Sequence, residues 1–255
     1  MLYIVLPAYN EEAALKNLLA DIAISCKNID TQIIIVNDAS TDQTLSIAEA
    51  YVRTHQNVRV LTHENNMGLG AALMTGFKYV LENRKNFKDD DIILTMDADN
   101  THPAKHIPQM VDRIHSGADL VVASRYAPGG VQYGLNRRRR ILSWGAGHVM
   151  GIFFPITGLK DYSCGYRAYR ASVLDKAYRY YGEQLIENRS FAAMVELLIK
   201  VVAYCKTVCE VPLSLHYERK IGCSKMKICA TILGYVSLII KLKKQTWGSM
   251  EWAGE

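Results

Sequence analysis

The segment DDDIILTMDADNTHP, Asp89 to Pro103, ends an apolar run on two aspartates, Asp97 and Asp99, two residues apart. Residues i and i+2 of an extended segment point the same way, so the spacing predicts two carboxylates facing one side of the strand's end. Such a pair offers hard oxygen donors to Mg2+ or Mn2+, which fill their remaining positions with waters and phosphate oxygens. A solvated turn is the alternative, because Asp and Asn are frequent in turns. Placement directly after a buried strand favours the cation.

Asp38, in VNDASTD, has the same placement after an earlier β-branched run. A carboxylate there can accept hydrogen bonds from a base or ribose. Ser40, Thr41 or Asp42 can cap the following helix, which leaves Asp38 free for that role. The glycine-rich NNMGLGAALMTG lacks the G-K-[ST] of a phosphate-binding loop and follows the third strand, so a tight turn with close helix packing explains it equally well. Of the seven histidines, His102, three residues after Asp99, is the one placed for chemistry. No G-x-S-x-G elbow occurs, which argues against serine-nucleophile chemistry.

Four arginines, Arg137, Arg138, Arg139 and Arg140, precede an amphipathic stretch containing Trp144, Phe153 and Phe154. That pattern suits a membrane surface or an anionic lipid head; a helix docked on the core is the alternative. The chain has no recognisable nucleic-acid module, so no nucleic-acid partner is expected.

Elements that alternate strand with helix must position these residues. Strands are predicted at 2–6, 32–37, 58–62, 92–96 and 120–123, with helices at 11–26, after Thr41-Asp42, after Gly68-Leu69-Gly70 and after Pro103. This order implies an α/β fold, a Rossmann-like, mostly parallel sheet with helices on both faces, whose ligands sit outside the carboxyl ends of the strands. The second half is less regular: after the arginine run, Ile141, Trp144, His148, Ile152 and Phe153 fall close to helical spacing, helices are expected at 171–181 and at 190–204, and a strand at 208–217.

At 255 residues, 49% hydrophobic and 22% charged, the chain can bury a full core and is not disordered. A net charge of +5 mildly favours acidic partners. Six cysteines without paired spacing read as free thiols. MLYIVLPAYNEE enters a core strand with no leader pattern, so a cytosolic protein is expected. The longest apolar run, Ile228 to Ile240, is interrupted by Thr231, Gly234 and Ser237 and is too short to span a bilayer. Lysines flank it, so it could lie on a membrane or pack on the core.

LPAYNEE, NDASTD, NMGLGAAL, MDADNTHP, ASRYAPGG, RRRRILSWGA, DYSCGYRAYRASVL and EVPLSLHYERKIGCSK occur in order along the chain. Together they resemble family 2 glycosyltransferases of the GT-A fold, above all dolichol-phosphate and other polyprenyl-phosphate mannosyltransferases. The resemblance implies a catalytic domain at 1–220 and an amphipathic, membrane-interfacial extension at 221–255. It implies metal-dependent, inverting transfer of a hexose, most simply mannose from GDP-mannose, onto a polyprenyl or dolichyl phosphate at the cytosolic membrane face. A membrane-embedded partner subunit is one route to that surface.

By the same resemblance Pro7, Tyr9, Glu11, Asp38 and Ala98 contact the donor, and Asp97 and Asp99 bind the divalent cation. Arg125, Arg219 and Lys225 lie near phosphates, while Arg137 to Arg140 and Ser143 flank the acceptor phosphate. A phosphate acceptor is already an anionic nucleophile; a hydroxyl acceptor would need a base, for which Asp161 or Glu196 are the candidates. Thr101 departs from the pattern, standing where these mannosyltransferases often carry Gln as a further metal contact. Two rivals stay open: a UDP-sugar transferase with a lipid or saccharide acceptor, and an inactive sugar-nucleotide-binding or scaffold subunit.

Overall fold

The computed structural model describes residues 1–83, 87–135, 137–219 and 228–246. The first half alternates as its sequence predicts: β1 (Leu2–Ala8), α1 (Glu12–Ser25), β2 (Thr31–Asn37), α2 (Thr44–Thr54), β3 (Val58–Thr62), α3 (Leu69–Asn83), β4 (Ile92–Thr95), α4 (Ile107–His115) and β5 (Leu120–Ser124). The second half adds β6 (Val131–Tyr133), α5 (Arg137–Phe153), β7 (Arg167–Arg170), α6 (Ala171–Tyr181), α7 (Ala193–Val202), β8 (Val208–Pro212), β9 (Ser214–His216) and α8 (Ile228–Thr246).

Seven strands form the central sheet in the order β3-β2-β1-β4-β7-β5-β8, and β6 pairs with β9 in a small second sheet. Every pairing in the large sheet is parallel except those of β7 with β4 and β5. Successive residues of β1 from Leu2 to Leu6 are all buried. Because alternate side chains face opposite sides, both faces of the sheet are covered. The strand order reverses direction at β1, between β2 and β4, and such a switch point opens a crevice beyond the strands' carboxyl ends.

Sequence patterning misses the short β6 and, in the central sheet, strand β7. Its sequence, Arg-Ala-Tyr-Arg, reads as a polar turn, yet Arg167 is fully buried in the sheet's centre. Its guanidinium is tolerated there because it donates to the carbonyls of Tyr162, at 2.7 Å, and Met194. The stretch expected as one strand from Val208 to Tyr217 divides instead. Leu213 donates to Ser124 O and accepts from Val131 N, both at 2.9 Å, so the chain leaves the large sheet for the small one at that residue.

Candidate active site

Two loops at the switch point are stitched together by short polar side chains. Asn10, in the left-handed region at φ 53°, donates its N–H to Ser40 Oγ at 3.0 Å, and its Oδ1 accepts from Thr41 N at 2.8 Å. Glu11 N donates to Thr44 Oγ1 at 2.7 Å, and Glu12 accepts from Gln43 N at 2.8 Å. Pro7, near the end of β1, and Tyr9 and Glu11 beyond it are half-buried at this stitched edge.

Asp42 takes up the Thr44 N–H at 2.9 Å, so Asp38 is not needed as a cap. The expectation that Asp38 is therefore free is corrected by the fold. Its carboxylate accepts from His63 Nδ1 at 2.7 Å, Met67 N at 2.8 Å and Gly68 N at 2.8 Å, fastening the loop before α3. That loop is pressed from outside: a Cβ on Gly70 would lie 1.9 Å from Asn188 O, and one on Gly68, at φ +89°, 2.4 Å from Arg189 O. Close packing, the plain reading of these glycines, is what the structure contains.

The two aspartates after β4 sit on a turn, so the same-side argument from extended geometry does not hold. Asn100 adopts a left-handed φ of 59°, which folds Asp99 back into the protein while the Asp97 side chain stays about one-third open, at 35%. Asp99 Oδ1 accepts from Thr101 Oγ1 at 2.7 Å and Thr101 N at 3.1 Å. Asp97 Oδ1 borders Gly165, where a Cβ would stand 3.4 Å away. Ala98 is buried between the pair. His102 is buried too, stacked on Tyr166 with Nδ1 3.9 Å from Asp97 Oδ2. Burial lowers its pKa, but a hydrogen bond with Cys164 and the charge of Asp97 outweigh that and push it up to about 9.

Among the described residues, no cluster of three or more His, Cys, Asp or Glu could hold a metal. A cation that takes only two ligands from protein would meet Asp97, partly open with room beside it at Gly165, and Asp99, whose Oδ1 is already bonded to Thr101; the neighbouring Asn100 Oδ1 is buried without a partner.

On the other side of β7, Arg125 follows β5. Asp161, with no exposed surface, receives Arg125 Nε at 2.7 Å, Nη2 at 2.6 Å and the Arg125 N–H at 3.1 Å. Burial alone would raise the Asp161 carboxyl; the Arg125 charge and hydrogen bonds override it and hold it below the usual carboxylate range. Arg125 Nη2 also donates to Ser163 Oγ at 2.7 Å, which lies 3.4 Å from Ser143 Oγ. A cleft of about 730 Å³ opens here, lined by Arg125, Tyr126, Gln132, Tyr133, Arg140 and Trp144 among others.

Two expectations are thereby corrected. Asp161 aims Arg125 and is not placed to take a substrate proton. Glu196 is buried as well, bonded to Lys200 Nζ at 2.7 Å and to the N–H groups of Glu187 and Asn188 at 3.0 and 2.8 Å, so it is not an available base.

Of the arginine run, Arg140 reaches the cleft; the side chains of Arg137, Arg138 and Arg139 lie outside the described residues. Arg219 is exposed just beyond β9, and Lys225 lies outside the described residues. Cys26, Cys164, Cys205 and Cys209 are free thiols, as expected.

Helix α8 packs on the domain. Gly234 approaches Ala192, Leu238 and Leu242 are buried, Lys241 pairs with Glu187, and Lys243 Nζ lies 5.9 Å from the Phe154 ring centre. Its Tyr235 sits close enough to Arg125, Arg167 and Asp161 to feel their charges, although burial is the larger cause of its raised pKa. Val236 and Ile240 stay exposed on α8, as do Trp144, Val149, Ile152 and Phe153 on the adjoining α5. No helix among the described residues is long and apolar enough to cross a membrane.

Sequence reading passed over Ser163, Gln132 and Tyr235, and noted Tyr126 only as part of the segment after β5. Ser163 stands two residues from Asp161, so its motif held a signal; Gln132 and Tyr235 are brought in only by β6 and α8.

The end of β4 thus presents Asp97 beside the buried Asp99, and the end of β5 presents Arg125 held by Asp161. The chain belongs to Glycosyl transferase family 2, whose profile matches residues 3–177. It is 31% identical over 224 residues to the polyprenol monophosphomannose synthase of Mycolicibacterium smegmatis, covering 88% of this chain and 80% of that one. It is 32% identical over 222 residues to the undecaprenyl-phosphate mannosyltransferase of Micrococcus luteus, covering 87% and 86%. Among solved structures, glucosyl-3-phosphoglycerate synthase from Mycobacterium tuberculosis, crystallised with Mn2+, UDP and glucosyl-3-phosphoglycerate, superposes with a TM-score of 0.64. That match has 18% identity and covers 96% of this chain and 79% of the other. The fold is the GT-A fold and the protein is a glycosyltransferase.

Proposed function

We propose that this enzyme transfers mannose from GDP-mannose to a polyprenyl phosphate, with inversion, in the presence of a divalent cation and at the cytosolic face of a membrane. The observation that carries the reading is the Arg125 cleft. Guanidinium and hydroxyl groups converge there, while the two carboxylates considered as a base, Asp161 and Glu196, are buried in ion pairs. An acceptor hydroxyl would need a base; a lipid phosphate is an anionic nucleophile already. The names of the similar proteins support the same acceptor and sugar.

In this reading the nucleotide lies along Pro7, Tyr9 and Glu11, beside the loop that Asp38 fastens, and its diphosphate lies over Ala98 between Asp97 and Asp99. A bound Mg2+ or Mn2+ would be held by those two aspartates and would neutralise charge building on the departing diphosphate. Arg219 and Lys225 serve the same phosphates. Arg125, held by Asp161, orients the acceptor phosphate with Ser143 and Ser163, and Arg137 to Arg140 draw in its anionic head. The exposed apolar residues of α5 and α8 rest on the membrane, with Lys241 and Lys243 at head-group level. A membrane-embedded partner could strengthen that seat.

The test is transfer of radiolabelled mannose from GDP-mannose to undecaprenyl phosphate by the purified chain, with Mn2+ or with chelator. Expected is labelled lipid that disappears on chelation, and loss of both activity and calorimetric Mn2+ binding in Asp97→Asn. Transfer from UDP-glucose instead, or full turnover in chelator, would overturn the donor or the cation assignment respectively.

A further inference from the structure

Five buried side-chain atoms among the described residues have no hydrogen-bond partner: Asn100 Oδ1, Tyr126 OH, Gln132 Oε1, Arg167 Nε and Tyr169 OH. Unpaired buried polar atoms are costly and rare, and they gather where a ligand completes the bonding. Tyr126 and Gln132 both line the cleft beside Arg125 and Arg140. Both residues are only half buried, so their side chains form its wall. The terminal torsion of a glutamine is soft, and a small rotation turns the amide toward whatever enters.

The chemistry of these atoms selects the ligand. Gln132 Oε1 only accepts, so it must meet a donor. Phosphate oxygens ionised at neutral pH also only accept, and a polyprenyl chain offers no polar hydrogen. A hydroxyl satisfies Gln132 Oε1 and can also bond the Tyr126 phenol in either direction. Of the reactants of a mannosyl transfer, the hexose and the nucleotide's ribose carry hydroxyls; the reading above lays the nucleotide along Pro7, Tyr9 and Glu11, which leaves the hexose to bring hydroxyls to a cleft that already holds the acceptor's charge.

We propose that Gln132, with the Tyr126 hydroxyl, binds hydroxyl groups of the hexose in transit and thereby selects which sugar is transferred. The proposal rests on the hexosyl-transfer reading above and assigns these residues to the sugar. Tyr133 and Trp144 add aromatic surface to the same cleft, suited to the apolar face of a pyranose ring.

The experiment compares wild type, Gln132→Leu and the near-isosteric Tyr126→Phe, with undecaprenyl phosphate as acceptor and GDP-mannose or its 2-, 3-, 4- and 6-deoxy analogues as donors. Wild type should lose tenfold or more in kcat/KM with at least one deoxy donor, about the loss expected when a buried partner goes unpaired. Gln132→Leu or Tyr126→Phe should lose a similar factor with GDP-mannose and nothing further with that same deoxy donor, while melting temperature and GDP binding stay at wild-type values. Fully additive losses with every deoxy donor in both variants would overturn the proposal, as would wild-type kinetics in both. If no variant, wild type included, transfers mannose while another nucleotide sugar is used, the hexose reading stands with a new donor and the same cycle is run on that sugar's deoxy series. Absence of any sugar transfer sinks the underlying function.

Discussion

Replacing Asp161 by Asn separates a positioning carboxylate from a catalytic base. Asn preserves the shape of the side chain but removes its charge and turns an NH2 group toward the Arg125 guanidinium. Asp161 has no exposed surface, the Arg125 side chain is 11% exposed, and four N–H groups, three from Arg125 and one from Cys164, reach Asp161 within 3.1 Å. Breaking one partner of a buried pair costs about 3–5 kcal/mol because the other charge is left uncompensated. At about 2–4 °C per kcal/mol for a domain near this size, Tm should fall by about 6–20 °C.

The pH dependence has a definite sign. Because Arg125 holds the Asp161 carboxyl below its ordinary value, its stabilisation is present above the unfolded pKa of about 3.9 and lost as pH falls toward the folded value. The Tm gap between wild type and Asp161→Asn should thus be constant from pH 8 to pH 5 and narrow below about pH 4. Scanning fluorimetry across that range measures it, and acceptor KM should rise along with the lost stability. A variant with wild-type Tm at pH 7 and a defect confined to kcat would refute the positioning role and restore Asp161 as the base.

Gly70→Ala would push a methyl into Asn188 O, a backbone atom that cannot step aside; a cost of about 1–3 kcal/mol is expected, together with weaker GDP binding by calorimetry, since the same loop grips Asp38. Ile152→Asp combined with Ile240→Asp should reduce co-sedimentation with anionic lipid vesicles about tenfold or more while leaving Tm unchanged, because both side chains are exposed, Ile152 at 74%. Unaltered vesicle binding would remove the membrane role from this face.

The sequence by itself determined the regular half of the sheet and the edge where chemistry gathers. Buried β-branched strands such as Ile33 to Val36 and β1 announce themselves through uninterrupted apolar runs, and the residues after them are forced to one side by parallel connectivity. The positions of Asp97, Asp99 and Arg125 just beyond their strands were legible for that reason. Tertiary structure decided whatever depends on a partner distant in sequence. A strand spelled Arg-Ala-Tyr-Arg is stable only because carbonyls from Tyr162 and Met194 meet Arg167, and no local pattern records them. The same holds for the roles of carboxylates. Asp38 and Asp161 look in sequence like acids free at a ligand edge, but they are claimed by donors 25 to 30 and 36 residues away, respectively. Glu196 is claimed from 4 to 9 residues away, by Lys200 one helical turn on and by the chain folded back over α7. Charge and residue type fix what a side chain can do; burial and the groups that reach it fix what it is left to do.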